Sequence, residues 1–241
     1  ILVVSHHYRN FPQGTVTDMV EDCNHGNTRA MNKSHLYGGD QKAMYLVGQS
    51  AGVHLSLLAL LAQAKRHVEG GSPMCSIPSW NPSRLLGYIG VSGTYNLVTL
   101  TDYLDKRGLY KSMMFAIMSD ATGKPMIEQF SPTLQIINLS SEVMNSLPPF
   151  TILHGTADMS VPVDNAIEFA KTVNALGGKC KLHLYRNKTH TQPILEDPMR
   201  GGRDVLMDDV LSVIRGEACS NHQFPMAPSL MINAATFVCP F

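Results

Sequence analysis

Gly48-Gln49-Ser50-Ala51-Gly52 stands between a short apolar run, residues 44–47, and a helical pattern. A serine at the tip of such a strand-to-helix turn is lifted clear of the sheet, and the positive end of the helix faces its oxygen. The backbone N–H of Ala51 then points to where the oxyanion of a tetrahedral intermediate would form, which makes it the candidate oxyanion-hole donor. Glycines on either side suit a turn where side chains would collide with neighbouring backbone. A serine hydroxyl is a weak nucleophile unaided. It needs a base to take its proton and an acid to orient that base.

Asp158, in His154-Gly155-Thr156-Ala157-Asp158, follows a later apolar run and is the candidate acid. Its rival Asp164 falls in the first turn of the next helix, where the helix dipole alone favours carboxylates. His190, in Lys188-Thr189-His190-Thr191, follows the last apolar run and is the candidate base. The order serine, acid, histidine is the one that belongs to this kind of turn. The chain has ten histidines, so the others need a reading too. His54, four residues after Ser50, lies on the core-facing stripe of its helix and reads as a packed structural residue. His154, at a strand end, reads as a residue that orders the acid loop. This chemistry needs no metal and no organic cofactor.

Positioning three such residues takes strands and helices in alternation. Strand candidates are residues 1–5, 43–48, 86–92, 150–154 and 181–185, short continuous apolar runs of the kind that parallel sheets bury on both faces. Thr15-Val16-Thr17-Asp18 opens a helix as a capping box, and a second helix starts at Ser50. Residues 95–147 are too long for an ordinary connection and read as an inserted helical cap, with helices near 97–106 and 110–118. Further helices are expected at 163–176, ended by Gly177-Gly178, and at 204–215. The expectation is one α/β domain over residues 1–241, with a mostly parallel sheet between helices and a divergent tail from 217 to 241.

Composition limits the function. The chain has 241 residues, 44 % of them apolar, and 19 basic against 19 acidic side chains. That supports a sizeable core and offers no basic excess for holding nucleic acid. The longest apolar run, residues 55–62, is far short of the ~20 needed to cross a bilayer. Five cysteines with no C-x-x-C pair argue against a disulfide framework and for a reducing compartment. The chain begins inside a strand-like run, so a fragment of a longer polypeptide is expected.

The sequence resembles the plant isoprenylcysteine α-carbonyl methylesterases, which are serine α/β-hydrolases. The resemblance rests on Tyr8-Arg9-Asn10-Phe11-Pro12-Gln13-Gly14-Thr15, Tyr37-Gly38-Gly39-Asp40, the segment from Gly48 to His54, Ser92-Gly93-Thr94-Tyr95-Asn96-Leu97, Arg107-Gly108-Leu109-Tyr110, Lys188-Thr189-His190-Thr191 and Asp197-Pro198-Met199-Arg200-Gly201-Gly202-Arg203-Asp204. It runs from about residue 1 to 215. It implies hydrolysis of the methyl ester on C-terminal prenylated cysteines, with Ser50, Asp158 and His190 carrying the reaction. It also implies prenylated proteins as partners, and residence at endoplasmic reticulum and Golgi membranes through a region upstream of this chain.

The family's upstream His-Gly-Gly-Gly loop, which completes its oxyanion hole, does not occur in this chain. In the family's sheet another strand separates the counterparts of residues 1–5 and 43–48. Without it the two must pair directly or leave a gap. The alternative readings are a general carboxylesterase or lipase-like hydrolase, and an inactive truncated product or receptor-like relative. Met113, Met114, Met118 and Met126 fall in the inserted segment. Unbranched, polarizable methionines adapt to flexible apolar ligands, so Met114 and Met118 are candidates for lining a prenyl pocket; the alternative is that they pack a helix onto the sheet.

Overall fold

The computed structural model describes residues 1–70, 78–109, 111–120, 122–216 and 223–238. The expected helix start at Tyr110, the thiols of Cys75, Cys219 and Cys239, and residues 217–222 and 239–241 of the tail lie outside them. Cys23 and Cys180 are free.

Helix α1 (Val16–Lys33) begins after Thr15, whose backbone N–H donates to Asp18 Oδ2 at 2.9 Å, the carboxylate half of the expected capping box. Strand β1 (Met44–Gln49) leads into α2 (Ala51–Glu69), and β2 (Leu85–Val91) follows. The connection from β2 to β3 (Phe150–Gly155) carries α3 (Leu97–Lys106), α4 (Lys111–Ile117), α5 (Pro132–Ile137) and α6 (Ser141–Ser146). Helix α7 (Val163–Ala175), strand β4 (Cys180–Tyr185), α8 (Glu196–Arg200) and α9 (Val205–Arg215) come next. A two-residue antiparallel pair, β5 (Gly202–Arg203) with β6 (Gln223–Phe224), and α10 (Ser229–Val238) complete the described elements.

The main sheet has four parallel strands in the order β1-β2-β3-β4. Strand residues alternate between faces, so β2 and β3 supply two cores. Tyr88, Phe150 and Ile152 face one way and pack with Val53, Leu57, Leu60 and Leu61 of α2 and Phe169 and Val173 of α7. Ile89, Val91 and Leu153 face the other way, against Leu206, Val210, Val213 and Ile214 of α9. In the insertion, α5 and α6 lie against α2, while α3 and α4 cover a third cluster with α1.

Residues 1–5 are not a strand, contrary to the expectation from their apolar run. A strand exists through hydrogen bonds to a neighbour, and this segment joins no ladder. An open groove of about 500 Å³ lies between Ile1–Val4 and β1, so of the two outcomes expected here the gap is the one found. Val3 is 81 % exposed and Val47, on the free edge of β1, 51 % exposed. The short helices α5, α6 and α8 carry too few turns for a periodic signal in the sequence.

Candidate active site

Ser50 occupies the turn between β1 and α2 with φ +51° and ψ −119°. A non-glycine residue at positive φ is strained and persists only where its surroundings hold it there. Two backbone bonds do so: Ser50 N–H donates to Val91 C=O at 2.9 Å, and Ser50 C=O accepts from Val53 N–H at 3.0 Å. A β-carbon at Gly48 would come within 2.7 Å of Gly52 C=O and Val53 N, so this glycine is dictated by crowding. Gly52 is different. Nothing lies within 4 Å of its would-be β-carbon, so the expectation that both glycines avoid a collision holds for the first alone. Ala51 is the first residue of α2, where a backbone N–H has no acceptor within its own helix.

Strand β3 ends at Gly155, and the loop before α7 carries Asp158. Its Oδ1 accepts from the backbone N–H groups of Ser160 and Val161 at 2.9 and 2.8 Å. Its Oδ2 lies 2.7 Å from His190 Nδ1. Burial alone would push the Asp158 pKa up. Hydrogen bonds from His154, His190 and the Val161 N–H, with the charge of His190, outweigh that and hold the carboxyl well below the usual range. Asp164 sits apart, in the first turn of α7.

His190 lies beyond β4, in a loop that folds back over the end of β3. Its Nε2 is 2.8 Å from Ser50 Oγ, so one imidazole bridges the serine and the carboxylate. With Nδ1–H donating to Asp158, Nε2 is left as the acceptor for the serine hydroxyl. A hydroxyl, an imidazole and a buried carboxylate in this line can activate the serine oxygen as a nucleophile.

The other histidines have different surroundings. His54 is buried on α2, its Nε2 2.7 Å from Phe130 C=O, and burial lowers its pKa to about 4. His154 is fully buried, and its Nε2 lies 2.9 Å from Val161 C=O. Met118 is buried, and Met114 partly buried, in the cluster of Val16, Leu55, Leu58, Leu97 and Leu100. Sequence reasoning missed Ser92, which has φ +48° and donates its hydroxyl to His190 C=O at 3.2 Å. Its position directly after a strand was the available signal. It also missed Asn165, whose Oδ1 accepts from the N–H groups of Tyr95 and Asn96 at 2.6 and 2.9 Å and ties the insertion to α7. Among the described residues no cluster of three or more His, Cys, Asp or Glu could hold a metal ion.

The BD-FAE family model matches residues 1–173. Isoprenylcysteine alpha-carbonyl methylesterase ICME of Arabidopsis thaliana is 39 % identical over 250 residues, covering 100 % of this chain and 57 % of that protein. The probable isoprenylcysteine alpha-carbonyl methylesterase ICME of Oryza sativa subsp. japonica is 42 % identical over 217 residues, covering 90 % of this chain and 50 % of its own length. The chain thus spans about half the length of these curated relatives. Among solved structures, an esterase/lipase from an uncultured bacterium superposes with a TM-score of 0.57 at 19 % identity, over 86 % of this chain and 61 % of that one. Carboxyl esterase 2 from Tuber melanosporum superposes with a TM-score of 0.56 at 16 % identity, over 76 % and 55 %. At such identities the likeness shows the fold, an α/β-hydrolase.

Proposed function

Because the chain belongs to the BD-FAE family, we propose that it carries the catalytic core of a serine carboxylesterase acting on the methyl ester of a C-terminal prenylated cysteine. The observation that supports the reading is the unbroken path from Ser50 Oγ to His190 Nε2 at 2.8 Å and from His190 Nδ1 to Asp158 Oδ2 at 2.7 Å. Ser50 Oγ attacks the ester carbonyl as His190 takes its proton. The carbonyl oxygen becomes an oxyanion facing the Ala51 N–H. His190 returns the proton to the leaving oxygen, and methanol departs. A water molecule, deprotonated by His190, then attacks the acyl-serine and releases the free carboxylate with Ser50 restored. Asp158 stays ionised throughout and keeps the imidazolium oriented.

The substrate class follows from the names of the relatives, which are isoprenylcysteine methylesterases. The same reading makes prenylated proteins the partners and locates the full polypeptide at endoplasmic reticulum and Golgi membranes, through a segment outside residues 1–241. Among the described residues no helix is long and apolar enough to cross a membrane.

The test is labelling of the intact polypeptide by a fluorophosphonate probe, followed by hydrolysis of farnesylcysteine methyl ester against a short acyl ester. Labelling that disappears in Ser50→Ala, with preference for the farnesylated ester, is expected. Labelling that survives the substitution removes Ser50 as the nucleophile. Preference for the short ester leaves the triad standing and makes the protein a general carboxylesterase.

A further inference from the structure

Asp158 is held by more than the triad uses. His154 is fully buried, and so is the Asp158 side chain it meets, at 3.2 Å from His154 Nε2 to Asp158 Oδ2. The same nitrogen lies 2.9 Å from Val161 C=O. A carboxylate oxygen and a carbonyl oxygen only accept, so Nε2 must carry the proton. Nδ1 is buried with no hydrogen-bond partner in the protein. A proton there would be an orphaned donor in the core, which makes the neutral Nε2–H tautomer the one that fits.

We propose that His154 is a positioning residue for the esterase reaction: its single N–H, shared between Asp158 Oδ2 and Val161 C=O, locks the acid and sets how strongly that acid pulls on His190. The inference rests on the triad reading above. Four donors converge on one buried carboxylate: two backbone N–H groups on Oδ1, and His154 with His190 on Oδ2. The first effect is geometric. With Oδ1 tied to the loop and Oδ2 flanked by two imidazoles, the carboxylate keeps one orientation, aimed at His190 Nδ1. The second effect is electrostatic. An N–H sharing Oδ2 draws charge away from the bond to His190, so the His190 imidazolium is held less tightly than by an unshared carboxylate.

The titratable groups on the surrounding elements are engaged elsewhere or lie apart. His54 on α2 bonds Phe130 C=O, Lys188 pairs with Asp197 at 2.7 Å, and Glu196 pairs with Arg200 at 2.9 Å. On α7, Glu168 accepts from Asn96 Nδ2, and Asp164 lies in the first turn.

The experiment compares His154→Phe, which removes the donor, with His154→Gln, whose Nε2 restores one. The pH profile of kcat/KM on a short ester and the melting temperature are measured for both, in the intact polypeptide. His154→Phe is expected to lower kcat about tenfold, because an acid no longer fixed in one orientation meets His190 less squarely. It also shifts the acid limb of the profile upward, because Asp158 Oδ2 then turns its full charge on His190. His154→Gln returns the limb towards the wild-type position. A melting temperature that falls in both variants while the acid limb stays fixed overturns the proposal in favour of a purely packing role. Should His154→Phe not fold, nitrogen-15 spectra of histidine in the wild-type protein decide. An imidazole with its proton on Nε2 and a bare Nδ1 is expected, and a proton on Nδ1 overturns the proposal. Failure of the triad reading would show separately, as fluorophosphonate labelling that survives Ser50→Ala.

Discussion

Gly155 lies so close under Lys188 that a β-carbon on it would collide with the Lys188 carbonyl oxygen. The two residues belong to the segments that carry Asp158 and His190. Lys188 C=O accepts from Ala157 N–H at 3.0 Å, and Tyr185 C=O accepts from Thr156 N–H at 2.9 Å, so the end of β3 is stitched to the loop after β4. The Asp158–His190 distance is thus set by backbone contact upstream of both side chains.

Gly155→Ala tests that stitch. The added methyl has backbone on the far side, which cannot turn away as a side chain could. A loss of about 1–3 kcal/mol in stability is expected from the overpacking. The proposed ester hydrolysis should slow further than the loss of folded protein explains, because the loop of His190 is displaced from Asp158. Melting curves and kcat on folded protein separate the two effects. A variant with full kcat per folded molecule would show that the two loops find each other without this contact.

Asp158→Asn and Asp164→Asn should differ sharply. The first leaves an amide where His190 Nδ1–H needs a carboxylate, and about a 10⁴-fold drop in kcat is the expected scale. The second alters a helix-start residue and should stay within about 0.5 kcal/mol of wild type, with activity kept. Asp158 also contributes to acid stability. Its folded pKa is depressed, so its contribution is complete above the unfolded value and is lost as pH falls through the folded one. Asp158→Asn should therefore flatten the steepest acid part of the stability curve, read by denaturant titration below pH 4.

His54 sets a second pH window. Burial lowers its pKa to about 4 in the folded chain, so between that value and the unfolded one the unfolded chain binds the extra proton. Stability must then fall as pH drops, by roughly 1.5 kcal/mol between pH 6.5 and pH 5 for this residue. His54→Gln keeps a donor for Phe130 C=O and removes the titration. The variant should show a shallower stability slope in that interval, and a slope identical to wild type would locate the acid sensitivity elsewhere.

Met114 and Met118 sit in the cluster that joins α1, α2 and α3, so their substitution should act through the fold. Met118→Ala is expected to cost about 2–5 kcal/mol as a cavity in a packed site. Met114, partly exposed, should cost less. In both, the rates on farnesylcysteine methyl ester and on a short ester should change by the same factor. A selective loss on the farnesylated substrate would move these methionines to the wall of a prenyl pocket.

Local pattern was enough for the elements that make the site. An apolar run entering Gly48-Gln49-Ser50-Ala51-Gly52 specifies β1, the turn and α2, because strand, tight turn and helix start each have their own residue preferences. The ends of β3 and β4 were legible in the same way, which put Asp158 and His190 at one edge of a parallel sheet. Other features depend on neighbours distant in sequence. Residues 1–5 read as a strand by composition, yet a strand needs a hydrogen-bonded partner, and here a groove takes that place. Gly52 reads as sterically required, yet only Gly48 meets backbone. The strand-end position of His154 points to the acid loop, but the particular oxygen it meets there, Asp158 Oδ2, has no local mark. That bond arises because the acid loop curls back over its own strand, bringing Val161 and Asp158 onto one imidazole nitrogen. Sequence patterns record which face of an element is apolar and where the chain turns. Which donor meets which acceptor is settled only when the elements pack.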